Sequence, residues 1–200
     1  LNAAMDPTIS YDDLQIIRGM WPGKIVIKGV QNVADSKRLI DLGVDGIVLS
    51  NHGGRQLDGA VTSMEVLQEI ASHVKGRITV MADGGFRRGT DILKAKALGA
   101  DAVSIGTAAL VALGDNDPVH EAEYNALGTT AGAYDDWHEG RDPAGITTQD
   151  PELMERLDPV KAGRRLANYL KVMTLEAQTI ARACGKNHVH NLEPEDLCAL

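Results

Sequence analysis

Apolar and polar residues follow one another in blocks along the first half of the chain, and the blocks repeat in one order. A short run rich in β-branched residues comes first, polar or glycine-rich residues follow, and apolar residues at helical spacing come next. This order is typical of successive βα units. It predicts strands at 24–28, 46–50, 78–82 and 102–105 and helices at 32–42, 64–74 and 90–98.

Successive parallel units of one hand either close into a barrel or form an open sheet covered by helices. An open dinucleotide-binding sheet would carry Gly-x-Gly-x-x-Gly after its first strand, and this chain does not. Its distinctive polar residues instead follow several strands, at Lys28, 51–55, 83–85 and Gly106-Thr107. We therefore expect an α/β fold of the TIM (β/α)8-barrel type. Four units make its C-terminal half, so we expect the chain to be shorter than the whole enzyme.

The pattern changes beyond residue 112. Residues 121–127 predict a short helix and 129–150 an ordered loop rich in Gly, Asp and Thr. A long helix is predicted over Pro159–Ala183, with Pro at its first position and Gly185 after its end, and 193–197 resemble the start of another helix. We expect 1–112 to form the half-barrel with the site, and 113–200 to be a loop and helical segment of the same domain.

The composition of the chain argues against several classes of binding partner and site. A net charge of −8 argues against nucleic acid or an anionic membrane surface as a partner, because both need clustered Lys and Arg. No apolar run approaches the roughly 20 residues of a membrane span. Cys184 and Cys198 match no metal spacing, and two thiols in an acidic chain indicate a reducing cytoplasm. His188 and His190 lie two apart with no matching Cys or carboxylate, so no metal site is predicted.

The segment Asn51-His52-Gly53-Gly54-Arg55 places a titratable base and a guanidinium on one glycine-rich loop at a strand end. A histidine can take a proton near neutral pH, and arginine can hold a carboxylate through two parallel hydrogen bonds. The pair suits a substrate that is an α-substituted acid. The alternative is a surface loop in which His52 caps a turn.

A second candidate site follows the next two strands. Gly84 and Gly85 would let backbone N–H groups approach a phosphate, and Arg87 would add positive charge. Gly106 and Thr107 follow the last strand, where such barrels complete a phosphate site.

At these residues the chain resembles a known family. Residues 5–106 resemble the FMN-dependent α-hydroxy acid dehydrogenases and oxidases through the motifs WPGK…KG at 21–29, SNHGGRQLD at 50–58 and DGGFRRGTD at 83–91. The resemblance implies an FMN cofactor and a small 2-hydroxy acid substrate. It also implies the roles of several residues: Lys28 beside the flavin N1/O2 edge, Ser50 in contact with the cofactor, His52 as base, Arg55 on the substrate carboxylate, and Asp83, Gly85, Arg87 and Gly106 around the ribityl phosphate. Thr107 stands where the family has Arg.

Residues 100–200 are similar to the FMN-binding domain of glutamate-synthase-like proteins, notably at 135–150 and 166–192. The iron–sulfur cysteines of that family are absent from the loop before Ile146, so no cluster is expected. The chain therefore reads as a hybrid of two related FMN barrels joined near Gly106.

The leading functional interpretation is FMN-dependent oxidation of a lactate-like 2-hydroxy acid to a 2-oxo acid, with His52, Arg55 and Lys28 as the catalytic residues. One alternative is a glutamate-synthase-type FMN domain that reduces an imine. The other is a non-catalytic half-barrel that binds FMN or phosphate and assembles with its own copies or with a complementing half-barrel. Assembly is expected because four strands leave open edges and an uncovered face.

Overall fold

The computed structural model describes residues 8–55, 57–127 and 140–197, with the backbone alone for Arg55. Four parallel strands lie side by side in chain order. They are β1 (Val26–Val30), β2 (Gly46–Leu49), β3 (Thr79–Asp83) and β4 (Ala102–Ser104). Each pairs with the next in parallel, and the pairing shifts by one residue at Gly29, which has a φ of 101°. Parallel neighbours with a crossover between them are what the repeated βα pattern predicts.

The predicted helices are present within a few residues. The helices are α1 (Tyr11–Met20), α2 (Val33–Asp41), α3 (Ser63–Val74), α4 (Gly89–Ala97), α5 (Thr107–Leu113), α6 (Glu121–Ala126), α7 (Pro151–Met154) and α8 (Pro159–Ala183). Residues 194–196 form only a 3-10 turn, and 198–200 lie outside the described residues. The pattern missed α1, α5 and α7. In α1 no residue is buried, and a capping box between Ser10 and Asp13 begins the helix, so its signal is local rather than periodic.

One face of the sheet is covered by helices. Ile47, Leu49, Val80 and Ala82 are at most 2% exposed, and α2 and α3 pack against β1, β2 and β3. Side chains alternate between the faces along each strand. On the opposite face Val26 is 47% exposed, and Thr79 and Ala102 are also exposed. Parallel sheets normally have both faces covered. The described part of the chain covers only one of them well.

The chain forms two compact units. The first comprises Leu1–Phe86, Asp91–Ser104 and Ile180–Leu200 and contains the sheet. In this unit Ala181, at the C-terminal end of α8, packs in one cluster with Leu93, Ala97 and Leu192. The second comprises Arg87–Thr90 and Ile105–Thr179. The predicted division at residue 112 stays a prediction.

The second unit is organised around a buried carboxylate. Asp142 accepts backbone N–H bonds from Ala144 (3.0 Å), Ile146 (2.8 Å) and Thr147 (2.8 Å), and the Tyr124 hydroxyl donates to it at 2.9 Å. Residues 140–150 form turns held by this carboxylate, without helix or strand. This agrees with the expected ordered loop over 140–150, and 129–139 of that loop lie outside the described residues.

Burial raises the pKa of Asp142, but the backbone N–H donors and Tyr124 outweigh burial, so its pKa is lowered overall. A carboxyl group whose pKa is lower in the folded protein stabilises the fold at pH values above its ordinary, unfolded-state pKa. This contribution is lost as the pH falls through the folded-state pKa. We expect Asp142→Asn to lower the free energy of unfolding near pH 7 by about 1.5–3 kcal/mol, the value of a charge-assisted bond. The deficit should shrink as pH falls below about 4.

Urea unfolding at a series of pH values measures this deficit. Asp41→Asn, which changes an exposed carboxylate of α2, is the matched control. A deficit for Asp142→Asn that stays constant from pH 7 to strongly acidic conditions contradicts the assignment.

Candidate active site

An ion pair joins the middle of one strand to the C-terminal end of another. The Lys28 Nζ lies 2.6 Å from Asp83 Oδ2, and the side chains are 57% and 14% exposed. Lys28 is on β1 and Asp83 ends β3, so the pair spans the strand between them. An exposed pair of this kind contributes little stability. Its effect is to hold the ammonium of Lys28 on the face that the helices leave open.

The predicted catalytic turn begins directly after β2. Residues His52–Arg55 form a 3-10 turn, and Gly54 N–H donates to the Asn51 carbonyl at 3.1 Å. Ser50 is 2% exposed, and its Oγ accepts the His52 backbone N–H at 3.3 Å. The His52 side chain is exposed. Ser50 therefore orients the start of the turn, and its predicted contact with a cofactor stays a prediction.

Asn51 closes the loop that carries His52. Its Nδ2 donates to the Ala60 carbonyl at 3.0 Å, across the loop. Its Oδ1 is buried, with no hydrogen-bond partner among the described residues. A Cβ on Gly54 would lie 2.2 Å from that Oδ1, so glycine at 54 leaves room for the Asn51 side chain in this position. Sequence reasoning did not identify this role, because an asparagine before two glycines reads equally well as an ordinary turn residue.

Two further bonds tie the far end of the loop to neighbouring strands. Gln31, after β1, donates from Nε2 to the Val61 carbonyl at 2.9 Å. Ser63, the first residue of α3, donates from Oγ to the Asp83 carbonyl. The loop between β2 and α3 is thus fastened on both sides of the strand that it follows.

The glycine pair after β3 lies in a backbone conformation that favours glycine. Gly84 and Gly85 have φ values of 89° and 79°, in the left-handed region that glycine adopts readily. A Cβ on Gly85 would meet nothing within 4 Å, so its requirement for glycine is conformational. Both glycines are exposed, while the next residue, Phe86, is buried at 4% exposure and anchors the turn. The backbone here is uncovered by side chains.

Three predicted phosphate residues belong to the second unit. Arg87 is exposed, and its carbonyl accepts the Tyr169 hydroxyl at 2.7 Å. Gly106 precedes α5 and accepts N–H bonds from Ala109 and Leu110, and Thr107 is the first residue of that helix. Because Gly84 and Gly85 lie in the first unit, a single phosphate site built from both sets stays a prediction.

The described residues hold neither a metal-binding group nor a membrane-spanning helix. Within them, no three His, Cys, Asp or Glu side chains form a group able to hold a metal ion. The rings of His188 and His190 stack at 5.0 Å, and the His190 backbone N–H donates to the His188 Nδ1. No helix in these ranges has both the length and the apolar character needed to cross a membrane.

Comparison with known proteins now identifies the class. The sequence pattern of the FMN-dependent dehydrogenases matches residues 1–121, more than half of the 200-residue chain. The chain therefore belongs to the FMN-dependent dehydrogenase family. A conserved region of glutamate synthase matches residues 128–187. Both predicted resemblances are confirmed.

Two curated relatives match different shares of the chain, one almost all of it and the other a little more than half. A glutamate synthase large subunit-like protein of Rhizobium meliloti (strain 1021) is 59% identical over 197 residues, covering 90% of this chain and 44% of that protein. An L-lactate dehydrogenase of Actinobacillus pleuropneumoniae serotype 5b (strain L20) is 52% identical over 114 residues, covering 57% of this chain and 30% of the relative. The chain thus spans less than half the length of either relative.

Solved structures of mandelate oxidase are similar in fold. A variant with a monooxide FMN adduct aligns with a TM-score of 0.64 and 30% identity, over 93% of this chain and 45% of the oxidase. Mandelate oxidase with benzoyl-formic acid aligns with the same TM-score at 28% identity. Together with the four-stranded parallel sheet, these similarities confirm the predicted partial (β/α)8 barrel.

The residues at the strand ends fit FMN, the cofactor of the family. FMN combines an anionic phosphate with a ring whose polar edge gains negative charge on reduction. An ammonium held on the open face, at Lys28, suits that edge. Uncovered glycine backbone at Gly84 and Gly85 suits the close approach of a phosphate.

The loop geometry yields a test with an internal control. We expect Gly54→Ala to displace the Asn51 side chain and break its bond to Ala60, because the new Cβ would lie 2.2 Å from Oδ1. A lost neutral hydrogen bond destabilises the closed loop by about 0.5–1.5 kcal/mol. Amide hydrogen exchange over 51–60 should accelerate by roughly two- to tenfold.

Gly53→Ala is the matched control, because a Cβ there meets nothing within 4 Å. Equal exchange rates for the two variants would show that Asn51 does not close the loop.

Proposed function

We propose that this chain supplies the C-terminal half of an FMN-dependent 2-hydroxy acid dehydrogenase or oxidase. The observation that carries the proposal is the gathering of a cation, a histidine turn and a glycine turn at the C-terminal edge of the sheet. His52 and Gly84-Gly85 follow β2 and β3, and Lys28 lies on β1 with its ammonium at the C-terminal end of β3, on Asp83. Parallel strands bring their C-terminal ends to one edge, where barrels of this type place their chemistry.

In this proposal His52 is the base and Arg55 binds the substrate carboxylate. Oxidation of the acid breaks the O–H and the α C–H bond, forms the C=O bond and removes two protons and two electrons. His52 accepts the first proton, from the hydroxyl or the α-carbon, and Arg55 holds the carboxylate in two parallel hydrogen bonds. FMN, when bound, would supply the acceptor of the two electrons and of the second proton.

The cofactor contacts follow the same division of roles. Lys28 would place its ammonium beside the N1/O2 edge of the ring, with Asp83 fixing its position through their ion pair. Ser50 directly follows β2 and would contact the cofactor from that position. Gly84 and Gly85 would offer backbone N–H groups to the phosphate. Arg87, Gly106 and Thr107 stay proposed phosphate residues, with Thr107 contributing a hydroxyl where the family has a guanidinium.

A second candidate function is a glutamate-synthase-type FMN domain that reduces an imine. It is favoured by the 59% identity to the Rhizobium meliloti protein over 90% of the chain. Substrate chemistry separates the two candidates. A 2-hydroxy acid such as L-lactate should bleach the bound flavin in the first case. In the second, a 2-oxo acid with ammonia should reoxidise flavin that has been reduced beforehand.

Replacement of the proposed base tests the first candidate. We expect His52→Ala to slow flavin reduction by L-lactate by about 10²–10⁴-fold, the usual contribution of general-base catalysis. Arg55→Lys keeps the charge but loses the planar two-bond grip, so the substrate concentration for half-maximal rate should rise. Stopped-flow absorbance of the flavin, in the protein assembled with the first half of the barrel, measures both.

Bound flavin should be unchanged in both variants, and His73→Ala, on α3 away from the strand ends, should reduce its flavin at the parent rate. If His52→Ala and Arg55→Lys also match the parent rate, the motif is scaffold and the catalytic assignment is wrong.

We further propose that the open face of the sheet is covered by a complementing half-barrel or by a second copy of the chain. Support comes from the 47% exposure of Val26 and from the exposed Thr79 and Ala102 on that face. In a monomer this parallel sheet would leave one face exposed to water, and parallel sheets normally bury both faces. The chain alone should therefore self-associate at micromolar concentrations.

Sedimentation velocity measures this association. Val26→Asp should weaken it, because a carboxylate on the open face opposes burial. Val119→Asp is the matched control, since Val119 is 76% exposed in a turn of the second unit. A stable monomer of the parent chain contradicts the proposal.

A reducing compartment, such as the cytoplasm, completes the proposal. Cys184 is a free, half-buried thiol. Titration of the isolated protein with a thiol reagent should find both Cys184 and Cys198 reduced, and a disulfide between them would contradict this location.

A further inference from the structure

The long helix α8 holds the segment that leads into α4. The Tyr169 hydroxyl donates to the Arg87 carbonyl at 2.7 Å, and Glu176 Oε2 accepts the Gly89 backbone N–H at 2.7 Å. Tyr169 and Glu176 lie two turns apart, so both side chains project from one face of α8. The two hydrogen bonds therefore fix the backbone on both sides of Arg88.

The approach of the two helices is close enough to require glycine. A Cβ on Gly89 would lie 2.3 Å from the Met173 carbonyl oxygen and 2.7 Å from the Ala177 nitrogen. These are backbone atoms, which cannot swing aside as a side chain can. Met173 and Ala177 are 3% and 5% exposed, so the contact is packed as well as hydrogen-bonded. The start of α4 is thus set against a rigid helix backbone.

Glu176 also accepts the hydrogen bond of the first backbone amide of α4. A helix N-terminus attracts anions through its unpaired N–H groups. At Gly89 that group is already paired with a carboxylate of this chain. A phosphate held near this segment would therefore depend on Arg87, which precedes the helix, rather than on the Gly89 amide.

The two residues of α8 that form these hydrogen bonds belong to one matched region, and the residues that they contact belong to the other. Tyr169 and Glu176 lie in the part that matches glutamate synthase, 128–187, and Arg87 and Gly89 in the part that matches FMN-dependent dehydrogenases, 1–121. The bonds between them are thus a point where the second region can act on the first.

We propose that Tyr169 and Glu176 are positioning residues for Arg87, and that through it they set the affinity for the phosphate group of the flavin. By fixing the backbone on both sides, they limit the directions in which the Arg87 guanidinium can point. The proposal rests on the proposed function, because it takes the ligand of Arg87 to be the phosphate of FMN.

Comparison of FMN with riboflavin, which has the same ring and no phosphate, isolates this role. We expect Tyr169→Phe and Glu176→Ala each to weaken FMN binding by about three- to tenfold, the effect of one lost hydrogen bond. Riboflavin binding should stay unchanged. Glu176→Gln keeps a carbonyl oxygen for the Gly89 N–H and removes a negative charge, so it should bind FMN at least as tightly as the parent. Flavin fluorescence quenching measures the affinity of the parent and of each variant for both flavins.

Thr179→Ala is the matched control on α8, because the Thr179 hydroxyl donates within its own helix, to the Leu175 carbonyl. It should leave both affinities unchanged. A structural effect of the substitutions would weaken FMN and riboflavin together, and this pattern would overturn the proposal.

Amide hydrogen exchange at Gly89 gives a second readout that needs no flavin. The amide should be protected in the parent and in Glu176→Gln, and it should exchange faster in Glu176→Ala. Equal exchange in all three would overturn the proposal.

The affinities of the parent and the variants distinguish an error in the proposed function from an error in the positioning role. If the parent binds FMN no more tightly than riboflavin, the phosphate site of the proposed function is wrong and the positioning role is wrong with it. If the parent prefers FMN and Tyr169→Phe and Glu176→Ala keep that preference, only the positioning role is wrong. Should Glu176→Ala fail to fold, Tyr169→Phe, which removes one oxygen atom, decides the matter.

Discussion

The parallel register of the four strands is the constraint on which the candidate site depends. Because the strands run in one direction and pair in chain order, their C-terminal ends share an edge. Lys28 reaches Asp83 across β2 only because both side chains lie on the same face near that edge. The same register puts the His52 turn between them in strand order. A slip of one residue in β1 would turn Lys28 to the helix-covered face.

The loops at this edge are held by bonds of their own. Asn51 spans the His52 loop to Ala60, Gln31 secures Val61, and Ser63 bonds to the end of β3. Each is a modest hydrogen bond, but together they restrict the backbone that carries the base. A site built on rigid strands and fastened loops keeps its side chains in a narrow range of positions, which catalysis by orientation requires.

The two regions of the chain meet physically as well as in sequence. In the second unit α8 packs on the start of α4 through Gly89, and the buried Asp142 organises the turns that follow α6. The long helix and the turn around Asp142 belong to the region shared with glutamate synthase. This region therefore supplies two hydrogen bonds to a segment of the dehydrogenase region, at Arg87 and Gly89.

The amino-acid sequence by itself determined the strand order, the glycine turns and the bounds of Pro159–Ala183, because periodicity, caps and glycine positions are local signals. It also carried the His52 and Gly84-Gly85 motifs that identify the family. Only the tertiary structure decided that Asp83 pairs with Lys28 and that Tyr169 reaches Arg87, 82 residues away. No local pattern specifies such pairs. They depend on which faces of distant helices and strands come together when apolar surface is buried, and that is settled by packing of the whole chain.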